Sequence, residues 1–373
     1  MKFSEFLDVR DGTHDSPKRV NIGKKLITTK NLEDNRIDFT NAKNISLNDF
    51  KRINERSKVD QFDILLSMIG TVGNVYQERS AFPDYAIKNL ALLKFHGDEL
   101  LSNWMNYYLQ SKKGQSKIHQ RLSGSTQQYI SLTDLRNIEI TLPNRDQMEL
   151  CIKPLRYLDD LILKNNQIND NLLDFLDTEF SHQFLGERNF PSGKVKNFIT
   201  IKRGASPRPI KDFLSENGRS WVKISDVTKL TTPFLYRTEQ YIKESGIKKS
   251  RTIKPGTLIL SNSATPGIPV ISEILASVHD GWLIIDNYSL MDRNWFYLFF
   301  RQMRNSLVAQ ANGSVFNNLK TNIVKEFPVP IVDKSELTKF HKISNPIFEK
   351  LNQIQQENIE LNRIKQTLLS QYF

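Results

Sequence analysis

Asn345-Pro346-Ile347-Phe348 is the nearest this 373-residue chain comes to the Asn/Asp-Pro-Pro-Phe/Tyr signature of an amino-methyltransferase, and it lacks the second proline. It also falls where a helix begins, with no glycine-rich cofactor loop beside it, so a helix start accounts for it better. Gly193-Lys194-Val195 imitates the end of a phosphate-binding loop. But Arg188 stands where the first glycine belongs and Val195 where the magnesium-binding hydroxyl belongs. Pro83-Asp84 could open a nuclease site, yet no acidic-x-Lys follows within about 25 residues to hold a metal and activate water. The six histidines are scattered without metal-ligand spacing. Cys151 is the single cysteine, which excludes an internal disulfide and a multi-thiolate metal centre. The expectation is a chain that binds without catalysing, with no catalytic residue and no metal or cofactor of its own.

Charge suggests what it binds. The formal net charge is +11, but residues 1–186 hold 25 basic and 25 acidic side chains, so residues 187–373 carry the whole excess. Arg188 to Lys254 alone has 16 basic and 5 acidic residues. Such density points to a polyanion, most often nucleic acid, against the plainer alternative of a solvated basic face. The first half offers a smaller acid-free patch of Lys112, Lys113, Lys117, His119 and Arg121. With 39% hydrophobic and 25% charged residues the composition is globular. No apolar run approaches the ~18–20 residues of a membrane span. The start Met1-Lys2-Phe3-Ser4-Glu5 is unlike a signal peptide. A cytoplasmic location is expected.

The elements that must position these residues occur twice. Val9-Arg10-Asp11-Gly12 with Pro17 matches Ile201-Lys202-Arg203-Gly204 with Pro209. Ile64-Leu65-Leu66-Ser67, then Thr71 and Gly73, matches Leu258-Ile259-Leu260-Ser261, then Thr265 and Gly267. Trp104 and Trp295 each lie in an amphipathic segment, where helical spacing marks them and Tyr107, Tyr108, Leu298 and Phe299 as core. Gly124-Ser125 and Gly313-Ser314 each precede an apolar stretch ending at Pro143 or Pro330. The shared order reads as domain duplication; the period is too long for a solenoid.

Each half then ends in a helix with an apolar stripe, Leu158, Leu161, Asn165, Ile168, Leu172 and Phe175 in the first. In the second the stripe is Leu351, Ile354, Asn358, Leu361, Lys365, Leu368 and Tyr372. A stripe on an otherwise polar helix needs a partner, either its own domain or the other helix. The matching seam defects Asn165 and Asn358 favour mutual pairing and can fix register. The expected organisation is α+β: two duplicated α/β domains over 1–150 and 187–334, separated by helices over 151–186 and 335–373. The two helices are expected to pair with each other, and the duplication gives the chain a pseudo-two-fold plan.

Asp11-Gly12-Thr13-His14-Asp15-Ser16-Pro17, Ile69-Gly70-Thr71-Val72-Gly73-Asn74 and Ser123-Gly124-Ser125-Thr126-Gln127 before Leu142-Pro143 resemble the first half of a type I restriction-modification specificity subunit. Residues 187–373 resemble the second half, with looser motifs at Arg203–Pro209 and Ser263-Ala264-Thr265-Pro266-Gly267 and without the His-Asp of the first turn. The resemblance implies two target-recognition domains held apart by an antiparallel coiled coil, each reading one part of a split DNA target. It also implies recruitment of two methyltransferase subunits, which use S-adenosylmethionine on adenine, and of restriction subunits. A seam of 22–29 residues spans roughly 33–43 Å, close to the ~34 Å turn of B-DNA.

Within each domain, Lys and Arg are expected at phosphates, where they supply salt-dependent affinity. These are Lys18, Lys112, Lys113, Lys117, Arg121, Arg203, Arg208, Lys248 and Lys249. Polar residues on glycine-bearing loops are expected at base edges. These are Thr13, His14, Thr71, Asn74, Ser125 and Gln127 in the first half, and Asn262, Ser263, Ser314 and Asn317 in the second. Each is alternatively a plain turn residue satisfying local backbone. A stand-alone DNA-modifying enzyme and a protein-only coiled-coil scaffold remain as other readings of the whole chain.

Overall fold

Ile64-Leu65-Leu66-Ser67 is apolar at consecutive positions because both faces of its strand are covered. Ile64 and Leu66 point to one core, shared with Ala91, Leu93 and Trp104, while Leu65 points to another, shared with Leu90, Leu92, Ile27 and Ile87. The computed structural model describes the whole chain except residues 34, 126, 187–189, 229 and 312–317. The chain divides into two compact units, Met1–Leu161 with Glu360–Phe373, and Ile162–Ile359.

In the first unit the central sheet runs Asp8–Asp11, Leu90–Lys94, Ile64–Ser67, Val75–Gln77, antiparallel throughout. A smaller sheet covers its second face. There Lys24–Ile27 pairs parallel with Tyr85–Ile87 and antiparallel with Lys43–Ile45. The second unit repeats this plan. Thr200–Arg203, Trp282–Asp286, Thr257–Ser261 and Pro269–Ser272 form the antiparallel sheet, and Phe234–Leu235 extends it in parallel. In its second sheet Arg219–Val222 pairs parallel with Ala276–Val278 and antiparallel with Gln240–Ile242. The alternation recurs: Leu258, Leu260, Leu283 and Ile285 face one core, Ile259, Trp282 and Ile284 the other.

The first core of each unit is filled from a helix started by an aspartate cap. Asp98 accepts from the Leu101 N–H before Glu99–Gln110, and Asp292 accepts from the Trp295 N–H before Arg293–Gln302. Trp104 stacks on Tyr108 at 5.3 Å, and Trp295 stacks on Phe299 at 5.3 Å. All four are buried, so these aromatics are packing and not a stacking platform for bases.

Arg145–Phe180 and Lys334–Tyr372 are the two long helices, and each unit holds one end of both. Within each unit the two segments run antiparallel. In the first, Ile152 and Leu155 share a core with Leu368, Leu369 and Phe373, and Lys365 Nζ donates to Asp159 Oδ1 at 2.7 Å. In the second, Phe180 meets Phe340 edge-on at 5.8 Å. There Asn165 Nδ2 donates to Asn358 Oδ1 at 2.9 Å, and Asn358 Nδ2 donates to Asn166 Oδ1 at 3.1 Å. The two seam asparagines therefore meet each other.

Part of the first stripe needs correction. Leu158, Leu351, Ile354 and Asn358 are buried, and Leu161, Asn165, Leu172, Leu361 and Leu368 are half-buried. Ile168 and Phe175, however, are 42% and 45% exposed, and the buried positions are Asn169, Leu173 and Leu176. Tyr372 is also exposed. A strict heptad drifts by about 20° per repeat against a straight helix. The buried face here follows the helix: Leu158, Asn169 and Phe180 recur at eleven residues, as do Leu173 and Phe184.

Lys365 is buried against Asp159, with Gln110 Oε1 at 3.3 Å, and Tyr107 Oη donates to Asp159 Oδ2 at 2.9 Å. Burial, then the Asp159 carboxylate, push the Tyr107 phenol far above its ordinary pKa, so it remains a neutral donor. Lys365→Met leaves a mostly buried carboxylate with one donor fewer and is expected to cost about 2–3 kcal/mol. Asp159→Leu combined with Lys365→Met should recover much of that loss. Urea unfolding of the three variants checks both; a single-variant cost near zero would show that the pair contributes nothing.

Candidate nucleic-acid interface

The same loop is built once in each unit. In the first, the Ser67 hydroxyl donates to Thr71 O at 2.6 Å and accepts from the Asn74 N–H at 2.8 Å, while the Gly73 N–H returns to Ser67 O at 3.0 Å. In the second, the Ser261 hydroxyl donates to Thr265 O at 2.6 Å and accepts from the Ile268 N–H at 2.8 Å, and the Gly267 N–H returns to Ser261 O at 2.8 Å. Each loop has two left-handed residues: Gly70 (φ 80°) and Gly73 (φ 95°) in the first unit, Ala264 (φ 56°) and Gly267 (φ 80°) in the second. Glycine adopts that conformation freely; a residue with a Cβ is strained there.

Each loop is held by a following helix and a returning segment. Gln115 Nε2, on Lys112–His119, donates to Gly73 O at 2.8 Å, and Arg304 Nε, on Arg304–Ala311, donates to Pro266 O at 3.2 Å. The Ile130 N–H reaches Met68 O at 3.0 Å and the Leu319 N–H reaches Asn262 O at 2.8 Å. In the first unit Gly70 N–H also donates to Gln128 O at 3.1 Å. Around that loop lie exposed Thr71, the exposed Ser125 and Gln127, and the helix carrying Lys112, Lys113 and Lys117. Arg121 is half-buried and donates to Lys117 O and Asn137 O. Ser314 and Asn317 lie outside the described residues.

Two expected base-readers are tied down instead. Asn74 Nδ2 donates to Leu32 O at 2.9 Å. Asn262 is 5% exposed, with Nδ2 on Asp280 O at 3.2 Å. Both satisfy backbone carbonyls of neighbouring segments, Leu32 and Asp280, a use that competes with ligand binding. Ser263 beside it is half-buried.

A second turn lies at Gly12 and Gly204. Gly12 N–H donates to Leu90 O and Thr13 N–H to Ile87 O; Gly204 N–H donates to Trp282 O and Ala205 N–H to Val278 O. A Cβ on either glycine would meet a carbonyl oxygen, of Ile87 or His279, within about 2–3 Å. Thr13 is half-buried, while His14 and Lys18 are exposed. The His14 ring bridges Asn89 Oδ1 (3.0 Å) and Asp11 Oδ2 (2.9 Å), and Asp11 also binds Arg56. In the second unit Ser206 takes the place of His14, its hydroxyl donating to Asp280 Oδ1 at 2.7 Å. Asp280 Oδ2 stands 3.6 Å from both Arg203 Nη2 and Arg208 Nη2. The Ser206 hydroxyl foremost, with Arg203 and His279 adding, holds the Asp280 carboxyl below its usual range. Next to it His279 Nδ1 accepts the Gly281 N–H at 2.9 Å, which places the ring proton on Nε2, and burial lowers its pKa. Lys248 and Lys249 end the short helix Glu244–Ile247, with Lys249 Nζ 4.8 Å above the Phe213 ring.

Asp280, Ser206, Asn89, Gln115 and Arg304 were not singled out by sequence. His279-Asp280-Gly281 has the composition of a turn, the one signal available for them. Among the described residues no group of three or more His, Cys, Asp or Glu is placed to hold a metal ion, and no helix is long and apolar enough to cross a membrane.

Two units of this build, each with a glycine turn beside basic side chains, make a duplicated protein. Residues 18–174 match the family described as the type I restriction modification DNA specificity domain. The chain is 21% identical over 298 residues to the type I restriction enzyme MjaIX specificity subunit of Methanocaldococcus jannaschii, spanning 73% of this chain and 68% of that one. Its fold is similar to that of the type I restriction-modification system S subunit from M. genitalium, with a TM-score of 0.56 at 17% identity, covering 100% of this chain and 95% of the other. The chain is therefore similar in sequence over residues 18–174, and in fold over its whole length, to type I restriction-modification specificity subunits.

The repeated loop makes a paired test available. Ala264→Gly relieves a left-handed Cβ and should stabilise the protein by up to about 1 kcal/mol, whereas Gly70→Ala should destabilise it by about 1–2 kcal/mol. Urea midpoints of the two variants should move in opposite directions.

Proposed function

We propose that this chain is the DNA-reading, non-catalytic subunit of a type I restriction-modification complex. It binds a split, asymmetric duplex target, one part per recognition domain. The domains lie within residues 1–150 and 187–334, and the long helices Arg145–Phe180 and Lys334–Tyr372 pair between them. The single observation that carries this reading is the Ser-x₃-Thr-x-Gly loop, built with the same hydrogen bonds in both units but surrounded by unlike side chains. A common scaffold with different readers recognises two different sequences, and fusing both into one chain makes the target asymmetric, unlike the palindrome of a symmetric dimer.

The chain supplies recognition and assembly. Two methyltransferase subunits, with S-adenosylmethionine bound to them, supply adenine methylation, and restriction subunits supply cleavage, in the cytoplasm. In this chain Lys112, Lys113 and Lys117 contact phosphates; Thr71, Ser125 and Gln127 lie at base edges.

A base-modification map of the host genome, with and without this gene, tests the reading. One split, asymmetric motif should lose adenine methylation on deletion; an unchanged map in a strain expressing the methyltransferase subunits would refute it. In the reconstituted complex, replacing Lys112, Lys113 and Lys117 together with alanine should weaken binding to all duplexes alike. It should also reduce the slope of log K against log salt by about 3, close to one per phosphate contact. A slope unchanged in titrations from low to moderate salt would take these lysines off the DNA.

A further inference from the structure

Asp280 joins three segments of the second unit. Its carboxylate takes the Ser206 hydroxyl from the Gly204 turn, and its carbonyl takes Arg203 Nε (2.8 Å) and Asn262 Nδ2 (3.2 Å), the latter from the Ser261–Gly267 loop. Its own N–H returns to Ser206 Oγ at 3.4 Å. So held, the carboxylate cannot swing away from the two guanidiniums beside it.

The two arginines are used differently. Arg203 is bound through Nε to the Asp280 carbonyl and keeps the turn closed. Arg208 touches Asp280 only through Nη2 and is 82% exposed, so the rest of its fork is open to solvent. We propose that Asp280 is a positioning residue that aims Arg208 at a guanine edge in the part of the target read by the second unit. This rests on the DNA-reading function proposed above and deepens it.

Two physical arguments favour a base over a phosphate. An acid 3.6 Å from both arginines removes one of their two positive charges, which weakens attraction to a polyanion. The O6 and N7 acceptors of guanine are uncharged, so the acid costs little there. Bidentate recognition instead needs a planar fork with a preferred orientation, which a fixed carboxylate 3.6 Å from Arg208 Nη2 favours. The first unit places its acid differently. At the corresponding turn Asp11 takes the His14 ring and binds Arg56 from a helix, and no arginine follows Gly12 before Pro17. The two units then read different bases from one scaffold.

The experiment uses the full chain reconstituted with its methyltransferase subunits. Methyl-transfer kcat/KM is measured on duplexes in which every position of the mapped target is changed to each of the four bases. Arg208→Ala and Asp280→Asn should each lower discrimination at the same single G·C position by about tenfold or more. All other positions should be unchanged, the double variant should lose no more than either single one, and Asp280→Glu should restore part of the preference. Tighter binding of Asp280→Asn to all duplexes with a steeper salt dependence would identify Asp280 as a brake on phosphate affinity and overturn the proposal. Loss spread over several positions with a lowered melting temperature of the complex, or relaxation at a position other than G·C, would overturn it equally. A wild-type complex that selects no sequence at all would instead refute the DNA-reading function on which the proposal stands.

Discussion

The apolar core of each unit is closed by residues far away in the chain. Leu369 and Phe373 complete the core made by strands before Phe95, with Phe373 edge-on to Trp104 at 5.4 Å. Phe180 and Phe184 do the same for the second core, meeting Trp295 at 5.0 and 5.8 Å. Neither unit can bury its stacked aromatic pair without the end of a long helix that begins elsewhere. Within each unit the register of the two antiparallel helix segments therefore bears on how its core closes. The Asn165–Asn358–Asn166 bonds and the Asp159–Lys365 pair fix that register by chemistry that a one-turn slip would leave unsatisfied.

With the frame fixed, the loops are free to differ. Ser67 and Ser261 each hold a loop shut by donating and accepting once, which leaves the side chains at the tip out of the folding problem. The alanine at 264 indicates how much the scaffold tolerates: the backbone keeps its left-handed turn although a Cβ has replaced the hydrogen of Gly70. Backbone hydrogen bonds, more than side-chain identity, carry the repeated shape.

That division explains what could be read from the amino acids. The duplicated order, the two-faced strands at Ile64 and Leu258, the core tryptophans and the meeting of Asn165 with Asn358 were all legible, because each depends on periodicity or on a polar residue at a defined place in an apolar pattern. The buried phase after Asn165 was not, since Ile168 and Asn169 are adjacent and hydropathy favours the wrong one; the turn of the helix decides. The backbone bonds of Asn74 and Asn262 were not legible for a related reason. A polar residue in a glycine loop has two uses, ligand contact and backbone satisfaction, and only coordinates show which carbonyl lies within reach.

Charge counting illustrates the same limit at larger scale. It assigns the affinity for a polyanion to the second half, where all of the excess lies. Yet several of those cations are already engaged: Lys194 and Lys196 with Glu326, Arg203 and Arg208 with Asp280. In the formally neutral first half, Lys112, Lys113 and Lys117 make no ion pair with a described residue. Net charge measures what a segment contains, whereas counterion release depends on charges left free to meet phosphate. Phosphate contacts position a protein on DNA and base contacts specify the sequence. On the function proposed above, cations already paired within the second half have less left for phosphate than their number suggests.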